Sequence, residues 1–316
     1  MTVNIITHKG IKYTHEQLLE TMKKKGVKLK ISDYCWFFKR KSLPAGTYIF
    51  TDRERLDQWQ LKACGRIYRA LSKYPEYYRL YNNPAQILSK YGMLRQLFHA
   101  NINPFNCYTV TERAAPVRYP VFLKTEYEHK RPISGLLENQ SQLNDAIQAL
   151  SKKNFPLDGV IITEYFSKPF KADVFRRLSS YVIGQNISFA GAVHEKSWCV
   201  KYGQHSLVGD AEYQEERHMI ETNYRSEEIK EAISLLNIDY GRVDYNVVDG
   251  KIAIYEINTN PHVPLYKSNN PNPIRNANNK MIFDNYIQNL VQTDYSPNKV
   301  IMPKLSVKLN RPLARL

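Results

Sequence analysis

Cysteine is scarce in this 316-residue chain. Cys35, Cys64, Cys107 and Cys199 stand far apart and form no Cys-x-x-Cys pair, which argues against a zinc site and against a disulfide framework. No uninterrupted apolar run reaches the roughly 20 residues a transmembrane helix needs, so none is expected. Met1 to His8 lack a basic region followed by a long apolar one, so no secretory signal is expected and a cytoplasmic location is the default. Internal repeats and low-complexity segments are missing too. A hydrophobic content of 43% with clear periodicity excludes a disordered chain and fits a globular protein of two or three lobes.

Acidic residues are in short supply, 30 against 45 Lys and Arg, for a net charge of +15. The excess is uneven. Residues 1–90 carry 18 basic against 7 acidic side chains, and residues 299–316 carry five basic and no acidic ones, which leaves the middle nearly neutral. Clusters such as Lys23-Lys24-Lys25 and Lys39-Arg40-Lys41 are explained by a solvated basic surface. A polyanionic partner is the alternative: an acidic peptide, an anionic polymer or a membrane surface, with nucleic acid the less favoured.

Periodicity supplies the elements. A strand is expected over Val3 to Thr7. An amphipathic helix follows from Thr14 to Lys25, with Thr14 as its cap and Leu18, Leu19 and Met22 at helical spacing. Thr47 to Thr51 reads as a strand and Arg53 to Ser72 as a long helix. Asn82-Asn83-Pro84 marks a boundary, and helices are expected over Ala85 to Ala100, Gln142 to Lys152 and Ser226 to Leu236. The tail after Tyr295 reads as irregular.

The most informative stretch runs from Arg242 to Pro261, two β-rich runs around Asp249-Gly250, with polar residues where strands are normally apolar. A plain two-residue loop would set Asp244 opposite Tyr255 and send Asp244 and Glu256 to opposite faces. A three-residue loop, Val248-Asp249-Gly250, pairs Glu256 with Arg242 and puts it diagonal to Asp244 on one face, with Asn258 joining by period two. Two carboxylates and an amide oxygen on one face suit a hard cation such as magnesium. A solvated polar edge, or carboxylates paired with Arg242, would use the same residues.

Asp244, Glu256 and Asn258, with the ending Glu-Ile-Asn-Thr-Asn-Pro, resemble the metal-binding hairpin of the ATP-grasp superfamily of glutathione synthetase-like and RimK-type carboxylate-amine ligases. The resemblance spans about residues 80 to 290. It implies an α/β ATP-grasp fold, with an amino-terminal α/β substrate lobe (1–82), a small lobe (83–167) and a large lobe (168–295) clasping ATP, and a basic tail (296–316). Lys90, Lys124 at the end of Pro120-Val-Phe-Leu-Lys124, and the segment Val160 to Phe166 with Glu164, Tyr165 and Phe166 occur in the family's order. The lysines would meet phosphate oxygens, the hinge backbone would pair with adenine under Tyr165 or Phe166, and Asp173 would hold the ribose. Of Arg176 and Arg177, alternating on a strand, only one can face the site, and Arg177 is favoured. Lys201 and Arg242 are the next candidates to stabilise charge on the transferring phosphoryl group.

The sequence departs from the family after Lys124. Where a glycine-rich loop commonly closes over the phosphates, it has Thr125 to Gly135 with one glycine and several charges, so Lys130, Arg131 and His129 are candidates to replace its positive potential. By resemblance the cofactors are ATP and Mg2+, with Mn2+ as a substitute. The partners are a carboxylate substrate and an amine acceptor, and the expected reaction is amide formation through an acyl phosphate. The alternatives are an ATP-grasp kinase or phosphotransferase, and a silent ATP-grasp scaffold that binds an anionic polymer.

Overall fold

In a computed structural model of the chain, the described residues are 2–40, 42–112, 115–128, 130–264 and 270–294. His129 and the basic tail lie outside them. The first lobe is built from β1 (Thr2–Thr7), α1 (Tyr13–Glu16), α2 (Leu18–Lys24), β2 (Lys28–Asp33), α3 (Tyr34–Phe38), β3 (Gly46–Phe50), α4 (Gln58–Leu71) and β4 (Tyr78–Tyr81). Its four strands form a parallel sheet in the order β2-β1-β3-β4. Val3 to Thr7 are all buried, as expected of a central parallel strand covered on both faces.

The expected helix from Thr14 to Lys25 is broken in two at Gln17, and Thr14 lies inside α1, donating its hydroxyl back to the Ile11 carbonyl (2.8 Å) rather than capping. The expected helix from Arg53 starts late, at Gln58. Asp52 sits in the left-handed region (φ 57°), Arg53–Arg55 make only a 3-10 turn, and the box formed by Asp57 and Gln60 sets the true start.

The small lobe contributes α5 (Lys90–His99), β5 (Cys107–Thr109), β6 (Val121–Thr125), α6 (Gln140–Lys152) and β7 (Val160–Glu164), with an antiparallel sheet in the order β5-β7-β6. Helix α5 begins five residues later than Ala85, at the point where Ser89 accepts the N–H of Gly92. The large lobe adds β8 (Phe175–Ile183), β9 (Asn186–Glu195), α7 (Asp210–Thr222), α8 (Ser226–Leu236), β10 (Tyr240–Val248), β11 (Lys251–Asn258) and α9 (Pro273–Gln292). Its sheet runs β11-β10-β8-β9, antiparallel throughout. Among the described residues, no helix is long and apolar enough to cross a membrane.

Two asparagines act as joints. Asn82 accepts the N–H groups of Asp239 and Tyr240 (2.8 and 3.0 Å) and donates to the carbonyls of Phe50 and Tyr240 (3.1 and 2.7 Å), so the boundary signal binds the first lobe to the start of β10. Asn103 donates to the Ile254 carbonyl and accepts its N–H, closing the free edge of β11 as a strand would.

The β10–β11 hairpin corrects the expected turn. Val248 pairs with Lys251, leaving the two-residue loop Asp249-Gly250, whose φ values of 50° and 76° match a type I′ turn. The carboxylates still share a face, because the register shifts between Asp244 and Tyr245 and skips Tyr255. Asp244 therefore pairs directly with Glu256 and Arg242 with Asn258, rather than Arg242 with Glu256.

Candidate active site

The cleft between the small lobe's sheet and the large lobe's sheet holds about 890 Å³ of empty space, part of it open to solvent. Nine of the twelve residues singled out from sequence border it: Lys90, Lys124, Glu164, Tyr165, Phe166, Arg177, Lys201, Asp244 and Glu256. Arg242 and Asn258 are not among its lining residues. Asp173 is on an exposed loop, ion-paired with Lys196 (3.1 Å) and outside the lining.

Charge concentrates where the two carboxylates meet. Asp244 is buried, with Arg242 bonded to both its oxygens (2.8 and 3.0 Å) and Arg177 Nη1 at 3.2 Å. Burial opposes its ionisation, but Arg242 and Arg177 outweigh that and hold the carboxyl below the usual range. Glu256 meets Lys124 Nζ at 3.1 Å and Lys90 Nζ at 3.4 Å. Burial pushes the Lys90 ammonium down to about 8, with Glu256 pulling the other way and Lys124 adding to the depression. The Lys201 ammonium is likewise lowered by burial, against the attraction of Glu256. Both arginines border the cleft, against the expectation that only one would, and Arg177 is the member of the pair that meets Asp244. Arg176 bonds Glu215 (2.8 Å) and lies over the Phe170 ring.

The other end of the cleft is aromatic. Phe122 and Tyr165 both pack on Trp198, with ring centroids at 5.0 and 5.6 Å, and Phe105 stacks near Phe166. Phe122 and Trp198 were not singled out from sequence as ring-covering residues. The available signal was an aromatic three residues before Lys201. Thr163 also borders this slot, and its buried hydroxyl has no hydrogen-bond partner. The Glu164 carboxylate is turned into the small lobe, where it accepts from Asn106 N–H (2.9 Å), Tyr108 hydroxyl (3.0 Å) and Arg118 N–H (3.2 Å). Any base pairing at this hinge would fall to its backbone.

The charged loop after Lys124 is strapped across the cleft mouth. Ile133 N–H returns to the Leu123 carbonyl (2.8 Å), and Arg131 reaches the large lobe, bonding Glu195 (2.9 Å) and the Cys199 carbonyl (3.0 Å). Glu195 also collects the N–H groups of Lys201 and Gly203 at 3.0 Å each. Lys130 borders the cleft, paired with Glu128 at 2.8 Å.

The donor set fits a hard divalent cation in kind: carboxylates directly opposite on neighbouring strands, with an amide on the same face. Asn258 Oδ1 accepts the Asn260 N–H (2.9 Å), so its amide would have to turn to join them. Among the described residues no group of three or more His, Cys, Asp and Glu converges, so any metal here rests on these two carboxylates and the amide.

No family model matches the sequence, and no curated protein matches it either. Solved structures do match. A D-alanine–D-alanine ligase from Bacillus anthracis aligns with a TM-score of 0.51 at 13% identity, over 93% of this chain and 98% of that one. The D-alanine–D-alanine ligase from Coxiella burnetii aligns at 0.50 and 10% identity, over 92% and 95%. The ATP-grasp ligase PsnB, complexed with a phosphomimetic variant of minimal precursor, Mg and ADP, aligns at 0.50 and 14% identity, over 93% and 98%. The chain has the ATP-grasp fold.

Proposed function

We propose that this protein is an ATP-dependent carboxylate-amine ligase. The observation that carries the reading is the pairing of Asp244 with Glu256 across β10 and β11, each carboxylate met by two cations, at the polar end of an aromatic slot. In this reading residues 1–82 hold substrate, and residues 83–167 and 168–295 clasp ATP.

The adenine lies against Tyr165, Phe166 and Trp198, and Lys90 and Lys124 exchange Glu256 for phosphate oxygens. The substrate carboxylate attacks the γ-phosphorus, forming an acyl O–P bond as the bond to ADP breaks. The amine then attacks the acyl carbon, forms the C–N bond, loses a proton and expels phosphate. Magnesium, held by Asp244, Glu256 and Asn258, would neutralise phosphate charge. Arg177, Lys201 and Arg242 add fixed positive charge where the transferring group becomes more negative. Asp173 and the ribose remain apart unless its loop moves.

The test is substrate-dependent ADP release across amino acids, peptides and acidic polymers, with mass spectrometry of the product. An amide product separates ligation from phosphoryl transfer alone. Glu256→Gln is expected to cut ADP release at least about a hundredfold while the circular dichroism spectrum is unchanged. Retained turnover with unaltered magnesium dependence would overturn the assignment.

A further inference from the structure

A second cleft, with about 470 Å³ of empty space, joins the first at Lys90 and lies under the amino-terminal lobe. Its position follows from topology. In the order β2-β1-β3-β4, the chain leaves β1 towards one side of the sheet and continues from β3 towards the other, so β1 and β3 flank the switch point. Open α/β sheets bind ligands in the crevice beyond the carboxyl ends of such strands. Here that crevice faces Thr259, the residue after β11, and so opens beside the hairpin that carries Asp244 and Glu256.

The loop leaving β3 is held in one unusual shape. Asp52 has a positive φ of 57°, and its carboxylate accepts from the Thr7 hydroxyl (2.5 Å) and the His8 N–H (3.1 Å) at the end of β1. A non-glycine residue keeps such a conformation only where its surroundings enforce it. The result is to deliver Arg53 into the crevice, where its backbone N–H donates to Thr259 Oγ1 (3.3 Å). Among the described residues its buried Nε has no hydrogen-bond partner, and burial depresses the guanidinium's affinity for its proton against the pull of Glu54, Tyr127 and Glu126. Unpartnered buried donors are rare and costly in native proteins. A planar donor fork of this kind matches a carboxylate.

We propose that Arg53 anchors the non-reacting carboxylate of the amine acceptor, and that the crevice selects acceptors with a small apolar body. This rests on the ligase reading and adds a substrate class to it. Ile87 and Met93 give the crevice an apolar wall, Leu88 and Tyr127 are largely exposed hydrophobics at its rim, and Glu126 lines it where an arriving ammonium needs a counter-charge. The amine of such a molecule lies at Glu126, on the side of the crevice that meets the first cleft at Lys90.

The probes are leucine, leucinamide and 4-methylpentanoate, titrated by calorimetry into the full chain with and without a non-hydrolysable ATP analogue. Leucine and 4-methylpentanoate are expected to bind about tenfold or more tightly than leucinamide, the scale of a charge-assisted fork. Arg53→Met abolishes the preference without changing affinity for the ATP analogue, and Arg53→Lys retains part of it. Equal binding of leucine and leucinamide, a preference that survives in Arg53→Met, or no binding of any probe would overturn the subsite. Failure of the ATP analogue to bind would instead overturn the ligase reading, while the carboxylate preference, measured without nucleotide, still judges Arg53. Should Arg53→Met fail to fold, Arg53→Lys decides alone: an undiminished preference sinks the proposal.

Discussion

The two clefts that meet at Lys90 treat charge in opposite ways. At the hairpin, Asp244 has two guanidinium partners and Glu256 two lysines, so both carboxylates are paired before any ligand arrives and the cations are in excess. Under the amino-terminal lobe, Arg53 lies near the Glu54 and Glu126 carboxylates, yet among the described residues its buried Nε–H has no acceptor. In the proposed reading a paired cluster would bind by exchange: phosphates would replace the carboxylate as the lysines' partner, and a metal would replace the cations at the carboxylates. An unbalanced donor binds by addition. The first arrangement keeps a dense site stable when empty, and the second marks where an anion is still owed a place.

The sharpest break of this comparison is Asp244→Asn, which leaves Arg242 and Arg177 buried beside a neutral amide. We expect a loss of about 3–5 kcal/mol in urea denaturation, the scale of breaking a buried ion pair from one side. Arg53→Met, by contrast, should leave the unfolding midpoint unchanged or raise it, since no hydrogen bond from Nε is lost. An equal fall in both variants would erase the distinction between the clefts.

An intermediate effect is expected from pH. The Lys90 folded value of about 8 lies below the ordinary 10.5 of a lysine, so in the nucleotide-free protein its cation is present below pH 8 and lost above it. Affinity for ATP should therefore fall as pH rises, by about tenfold between pH 7 and 9, read with a fluorescent ATP analogue. Lys90→Met should bind more weakly at pH 7 and show a flatter profile. The same profile in wild type and Lys90→Met would remove Lys90 from phosphate binding.

The smallest effect concerns the strap. Arg131 is partly exposed while Glu195 is buried, so the pair is discounted for solvent and is worth up to about 1 kcal/mol. Arg131→Ala should weaken the ATP analogue no more than severalfold and speed proteolysis within residues 125–135. Unchanged proteolysis would show that Arg131 does not hold the loop down.

The site was more legible in the sequence than the geometry that makes it. Asp244 and Glu256 could be picked out because carboxylates inside β-rich runs break the apolar pattern, and Lys90 and Lys124 because they fall in the order of the motifs the chain resembles. The bulge at Tyr255 could not, since a β-rich run with one extra residue has the same composition as one without it. Trp198 and Phe122 come together only when β6 and the loop after β9 face each other across the cleft, and local periodicity carries no information about that pairing. Asn258 was placed on the correct face, yet its oxygen turns to the Asn260 backbone, a choice made by the loop beyond the strand. Helices α7 and α9 carried no expectation at all. Both hold many polar side chains, and α7 buries Glu216, bonded to Asn278 (2.9 Å), where an apolar residue would have given the usual stripe.

The skipped Tyr255 also separates the hairpin into two lengths with independent phases. From Val248 to Tyr245 the strands are registered by the Asp249-Gly250 turn, and from Asp244 onward by the bulge. Asp249 at the tip is exposed and paired with Lys168, another exposed residue. A peptide tag or reporter spliced between Asp249 and Gly250 would thus lengthen the tip while the carboxylates kept their alignment, which makes this turn a natural port for engineering a readout into the protein.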